Sequence, residues 1–283
     1  MWTRLQNNSY HDDVIEQKFR ELANRGEGAV VAYLMGYDPG PKAFIANASS
    51  LIEGGADILE VGIPFSDPVA DGPVIQAAGT RALSAGATPS KILDTIGQLS
   101  AQFAMPFVIL TYYNPMLAIG IERFMRKASE NGVNGIVVPD LPMEESGRFS
   151  EMALKHSIAS IYLAAPNTSE KRLQAIVEKS KGFVYLVSLY GVTGPRDTLS
   201  PQALEAVKRV KSLAKGRIPV SAGFGISQPQ QVSALLGAGA DGIIVGSALV
   251  RTVAEHLDDP GKAPDDLKKT IIAFKQASKQ SAH

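Results

Sequence analysis

The chain concentrates its reactive side chains in one short stretch. From Glu60 it reads Glu-Val-Gly-Ile-Pro-Phe-Ser-Asp-Pro-Val-Ala-Asp-Gly-Pro, with carboxylates at Glu60, Asp67 and Asp71 and prolines that stiffen the segment after Ile63. Ile58-Leu59-Glu60-Val61-Gly62-Ile63 has the composition of a strand buried on both faces, yet an acid stands inside it. A carboxylate there is costly to ionise without partners. Two readings follow: an acid at the strand's wet end, held by neighbouring loops and otherwise idle, or an acid–base group.

The chemistry is bounded by what is missing elsewhere. There is no cysteine, so disulfides, thiolate metal sites and cysteine nucleophiles are excluded. The histidines, His11, His156, His256 and His283, lie far apart without metal-ligand spacing, and no metal site is expected. Lys+Arg and Asp+Glu both number 28, so no basic excess calls for nucleic acid or an anionic membrane. The N-terminus has no apolar core behind its arginine, and nowhere do about 18 uninterrupted apolar residues occur. The expectation is a soluble, cytoplasmic protein acting on a small molecule.

The elements that must position Glu60 and Asp71 are read from periodicity. A helix over residues 12 to 25, with Val14, Phe19 and Leu22 as apolar contacts, precedes the first strand, Ala29 to Met35. Seven more apolar runs follow, at 58–62, 107–112, 135–139, 160–164, 183–188, 219–222 and 242–245. Helix starts between them are marked by Thr88-Pro89, Ser200-Pro201 and Ser227-Gln228-Pro229-Gln230, and a last helix begins near Pro264. Three joints repeat: Gly55-Ala-Asp-Ile, Gly132-Val-Asn-Gly-Ile and Gly239-Ala-Asp-Gly-Ile. In each, a helix ends at a glycine suited to a left-handed conformation and a strand begins within about three residues. Strand–helix alternation over residues 1–283 predicts one domain, a (β/α)8 TIM barrel with an extra N-terminal helix. A doubly wound open sheet is the structural rival, weakened by the lack of Gly-x-Gly-x-x-Gly after the first strand.

In a barrel, function belongs at the C-terminal strand ends. Those ends hold Glu60; Tyr112, Tyr113 and Asn114; Asp140; Tyr185 and Ser188; Gly191-Val-Thr193-Gly194; Gly223-Phe224-Gly225; and Gly246-Ser247. None carries a lysine for a Schiff base or a histidine for zinc, which leaves carboxylate acid–base chemistry. The glycines after the seventh and eighth strands fall where this architecture builds its phosphate site, with Ser247 opening a helix, and their placement favours a substrate with a phosphate handle over mere turn glycines. Tyr185 is equally readable as core, and Asp140 as a tie across the barrel rim.

Taken together, these motifs resemble the tryptophan synthase alpha chain family. The Glu60-to-Gln76 segment resembles its signature, and Pro139-Asp-Leu-Pro-Met-Glu-Glu-Ser, Gly191-Val-Thr-Gly, Gly223-Phe-Gly-Ile-Ser and Gly246-Ser-Ala resemble later segments in order. The resemblance implies a lyase cleaving indole-3-glycerol phosphate by a retro-aldol reaction into indole and glyceraldehyde 3-phosphate. It makes Glu60 the general acid/base and Asp71 the second carboxylate. Tyr185 and Tyr33 would line the indole pocket, and Thr193, Gly194, Gly223, Phe224, Gly225, Gly246 and Ser247 would contact substrate, chiefly at its phosphate. It implies no cofactor on this chain, and a beta-chain partner carrying pyridoxal phosphate, met through the loop from Pro64 to Pro73 in an alpha2-beta2 complex. The chain departs from the family at Leu189-Tyr190, where members often hold an arginine.

Overall fold

The computed structural model describes residues 13–188 and 199–279. Thr193 and Gly194, with the rest of Gly191-Val-Thr-Gly and Leu189-Tyr190, lie outside the described residues. Within them the strands are β1 (Ala29–Met35), β2 (Ile58–Gly62), β3 (Phe107–Leu110), β4 (Val133–Val137), β5 (Ala159–Ile161), β6 (Leu163–Ala164), β7 (Val184–Val187), β8 (Val220–Gly223) and β9 (Gly242–Val245). All pair in parallel, in the order β5-β4-β3-β2-β1-β9-β8-β7-β6. The two ends of that order, β5 and β6, are consecutive in the chain, so the sheet comes round on itself as a TIM barrel.

The expected fifth strand over 160–164 is present but interrupted at Tyr162. Its carbonyl still accepts the Tyr185 N–H at 3.0 Å, so the ladder carries through. The phenol is drawn instead to Ser146 and Ser150 on the neighbouring helical layer, 2.6 Å from each hydroxyl. The third strand is shorter than expected because Tyr112 turns into the helix Tyr113–Ile119, and the fourth begins two residues early, at Val133.

Strand pleating sorts the apolar side chains into two cores. The larger lies between sheet and helices. The smaller fills the barrel, where Val31, Ile58, Val108, Val137, Ile161, Phe183 and Ile244 meet Ile15, Phe19 and Leu22 of the N-terminal helix Val14–Asn24. That helix is a plug. Asp13 caps it by accepting the Ile15 and Glu16 amides, and Glu16 in turn accepts the Gly182 N–H. The inward residue is Ile15 rather than the expected Val14, which is 48% exposed. Gly135 has no side chain because a Cβ there would lie 2.7 Å from the Ile15 side chain.

The repeated joints have one physical cause. Gly55, Gly132 and Gly239 have φ of 105°, 77° and 104°, the left-handed turn expected of them. Two residues on, each joint sends a side chain to an amide in the first two residues of the preceding strand in sequence: Asp57 to Val30 at 2.8 Å, Asn134 to Phe107 at 2.9 Å, Asp241 to Val220 at 2.7 Å. Lys275 holds Asp57 and Lys211 holds Asp241. Helix starts follow the sequence at Thr88 and Ser200, whose hydroxyls accept the Lys91 and Ala203 amides. At the helix Pro229–Gly237 the cap is Gln228 rather than Ser227, with Gln231 accepting both the Ser227 and Gln228 amides. The last helix, Ala263–Lys279, buries Leu267, Ile271 and Phe274 as expected. Among the described residues no helix is long and apolar enough to cross a membrane.

Candidate active site

Glu60 points into the barrel from β2, in register with Tyr33 on β1 and Val108 on β3. It is 0% exposed, and neither carboxyl oxygen has a hydrogen-bond partner among the described residues. Burial, and secondarily the charge of Asp71, lift its pKa to about 8, so it carries a proton at neutrality. Glu60 is shut away from water, and among the described residues no loop reaches over to satisfy it, against the wet-end reading.

Asp71 arrives from the loop after β2, immediately before the helix Pro73–Ser84. The loop folds onto itself through the Asp71 N–H to the Pro68 carbonyl, 3.0 Å, and the Gln76 side chain to the Asp71 carbonyl, 2.9 Å. Burial raises the Asp71 carboxyl to about 6, with the nearby Tyr112 hydroxyl acting in the lowering direction. Two carboxyls thus face one space with their ionisations pushed apart. At pH 7 Glu60 is on the protonated side of its titration and Asp71 on the ionised side.

Two tyrosines complete the walls. Tyr33 is buried and Tyr185 partly so, and burial together with both carboxylates keeps their phenols neutral well past the usual range. The Tyr33 hydroxyl has no hydrogen-bond partner among the described residues and fills the space above Gly62. Tyr185 crowds Gly223, where a Cβ would lie 2.7 Å from its ring. Beyond them, Gly223, Phe224, Gly225, Gly246 and Ser247 are partly exposed around the ends of β8 and β9. Gly225 has φ +70° with open space around it, and Ser247 begins the helix Ser247–Glu255, whose first amides have no intrahelical acceptor. This is an anion-receptive corner on the rim that holds the carboxylates. Among the described residues no three His, Asp or Glu side chains gather as a metal would need.

Asp140 accepts the Tyr113 N–H at 2.9 Å and so ties the rim, the plainer of its two readings. Two features escaped the sequence. Tyr112 was visible as a strand-end phenol, with nothing local to link it to the loop it holds. The Asp38–Arg81 pair, two parallel bonds of 2.7 and 2.8 Å, fastens the first loop to the helix that follows Asp71. Burial raises the Asp38 carboxyl in spite of that arginine.

A parallel barrel with paired carboxyls of opposed ionisation beside an anion-receptive corner defines an acid–base enzyme of phosphorylated small molecules. Residues 19–279 match the family model described as tryptophan synthase alpha chain. The chain is 44% identical over 259 residues to the tryptophan synthase alpha chain of Methanoregula boonei, covering 92% of this chain and 97% of that one. It is 45% identical over 255 residues to that of Methanocaldococcus jannaschii, covering 90% and 89%. In structure it resembles Mycobacterium tuberculosis tryptophan synthase (33% identity, TM-score 0.86, 95% and 99% covered) and the Legionella pneumophila alpha chain (30%, 0.86, 94% and 97%). The chain belongs to the tryptophan synthase alpha chain family, and its place is that of the lyase subunit in tryptophan biosynthesis.

Proposed function

We propose that in the alpha-chain reaction, retro-aldol cleavage of indole-3-glycerol phosphate to indole and glyceraldehyde 3-phosphate, Glu60 is the general acid and base and Asp71 receives the indole N–H. Protonated Glu60 delivers its proton to the ring carbon that bears the glycerol chain. Positive charge then develops on the ring nitrogen, and the Asp71 carboxylate stabilises it through the N–H. The Glu60 carboxylate next removes the proton from the adjacent hydroxyl. That oxygen's electrons form the aldehyde, and the electrons of the breaking carbon–carbon bond return to the ring, releasing indole.

The observation that carries this reading is the fully buried Glu60 carboxyl, without a hydrogen-bond partner among the described residues, beside Asp71, whose charge raises its pKa further. Tyr33 and Tyr185 would flank the indole ring. Gly223, Phe224, Gly225, Gly246 and Ser247, with Thr193 and Gly194 from outside the described residues, would hold the phosphate end. The chain itself would need no cofactor. Its partner would be a beta chain carrying pyridoxal phosphate, in an alpha2-beta2 complex in the cytoplasm. The loop expected to meet that partner holds Val69, an apolar side chain 79% exposed.

The test is indole release from indole-3-glycerol phosphate, with and without a beta chain, beside Glu60→Gln. Slow release alone, strongly increased by the partner and lost in the variant, is expected. Rapid release alone would point to a free-standing lyase, and no release under either condition would sink the reaction.

A further inference from the structure

Three aromatic rings stand in series inside the barrel. Phe19 of the N-terminal helix meets Phe183 with ring centroids 5.8 Å apart, and Phe183 meets Tyr185 with centroids 6.2 Å apart. Phe183 directly precedes β7 and Tyr185 is the second residue of that strand, so in extended chain the two share one face. Phe183 is 0% exposed and belongs to the small core that fills the barrel. Tyr185 is half-buried and packs on that core. The far end of the series is fixed. Glu16 accepts the Gly182 N–H at 3.3 Å, and a Cβ on Gly182 would lie 3.4 Å from Ile15 and 3.2 Å from Ala159. The residue before Phe183 is thus pressed against the N-terminal helix, and the Phe183 ring has Phe19 behind it. On its other side Tyr185 crowds the backbone of Gly223. A ring stopped by backbone on one side and by a second ring beneath it is left one position in a close-packed interior.

We infer that Phe183 is a positioning residue, a strut that fixes how deep the Tyr185 ring sits and through it the size of the aromatic ring the pocket admits. The inference rests on the place beside the indole proposed above for Tyr185. Phe183 touches no substrate. It acts by denying Tyr185 the space beneath it, so a smaller or more pliable side chain at 183 deepens the pocket.

The experiment runs the cleavage in reverse, joining indole to glyceraldehyde 3-phosphate. The aldehyde carbon bonds to the ring carbon, the aldehyde oxygen gains a proton and that ring carbon loses one. Indole is compared with the methylindoles substituted on the benzene ring, in the unaltered chain, Phe183→Leu and Phe183→Met. With leucine, Tyr185 should settle into the vacated space. The preference for indole over the best-accepted methylindole, taken as a ratio of kcat/KM values, should then shrink about tenfold, the worth of one methylene in an apolar pocket. Methionine should shrink it less. Leu22→Ala truncates another side chain of the same small core and should lower stability without changing the ratio. A ratio unmoved by Phe183→Leu, or moved as far by Leu22→Ala, overturns the inference. Should the leucine variant fail to fold, the methionine ratio decides alone. A crystal structure of the folded variant without substrate must show the Tyr185 ring shifted toward residue 183, and an unmoved ring also overturns the inference. An unaltered chain that neither cleaves nor condenses would sink the reaction proposed above, while the ring shift would still be read in the crystal.

Discussion

The hydroxyl of Tyr33 stands where a side chain on Gly62 would begin. Gly62 ends β2 two residues beyond Glu60, the register partner of Tyr33, so room at one is length at the other. Gly62→Ala should push Tyr33 aside, lower activity at least tenfold and destabilise the fold by about 1–3 kcal/mol through overpacking. Adding Tyr33→Phe removes the hydroxyl while leaving the ring carbon behind it close, at 2.9 Å. Partial recovery in the double variant, read as a non-additive cycle in urea melts, is the expected outcome. Strict additivity would show that the two do not compete for space.

Activity should be bell-shaped in pH. Asp71 must be ionised and Glu60 protonated, so kcat/KM should fall below a limb near 6 and above one near 8, the two limbs belonging to the coupled pair. Asp71→Asn should abolish the acid limb together with all but about 1% of the rate or less. A profile flat up to pH 9.5 would rule out a proton-bearing Glu60.

Stability should carry the same signature with a fixed sign. Glu60 has its pKa raised from 4.5 in the unfolded chain to about 8, so the folded state binds the extra proton between those values. Its contribution is fully present below 4.5 and is lost as pH rises through 8, at up to about 1.4 kcal/mol per pH unit. Asp71 adds a term of the same sign between 3.8 and 6. Glu60→Gln should therefore gain on the unaltered chain steadily across that window in Tm measured against pH. Parallel curves would place an ionised Glu60 in the native protein.

Arg81→Ala should cost about 3 kcal/mol, because it leaves the Asp38 carboxylate, 3% exposed, buried without its partner. Activity should fall as well, since the helix carrying Arg81 starts two residues after Asp71. Asp38→Asn with Arg81→Met should cost less than the sum of the single changes, measured by urea unfolding.

The parts of the fold that were legible in the sequence are local ones. The glycine joints announced themselves because a left-handed turn needs glycine within a few residues of the strand it starts, and Glu60 because an acid in an apolar run is anomalous at a glance. What escaped depends on partners far along the chain. Tyr112 meets Ala70 across 42 residues and Arg81 meets Asp38 across 43, and neither has a spacing rule. The N-terminal helix was visible, but its phase slipped by one residue, from Ile15 to Val14. An eleven-residue helix tolerates such a shift in pattern, while the barrel that receives it does not.

That helix also sets a schedule. It leaves the ribosome before every strand of the barrel, and the floor it completes includes Ile244, which is made more than two hundred residues later. At roughly 5–20 residues per second, its apolar face waits on the order of ten seconds or more before its socket exists. During synthesis the stopper is ready before the vessel, and the nascent chain must carry Ile15, Phe19 and Leu22 without their final neighbours until the last strand closes the ring.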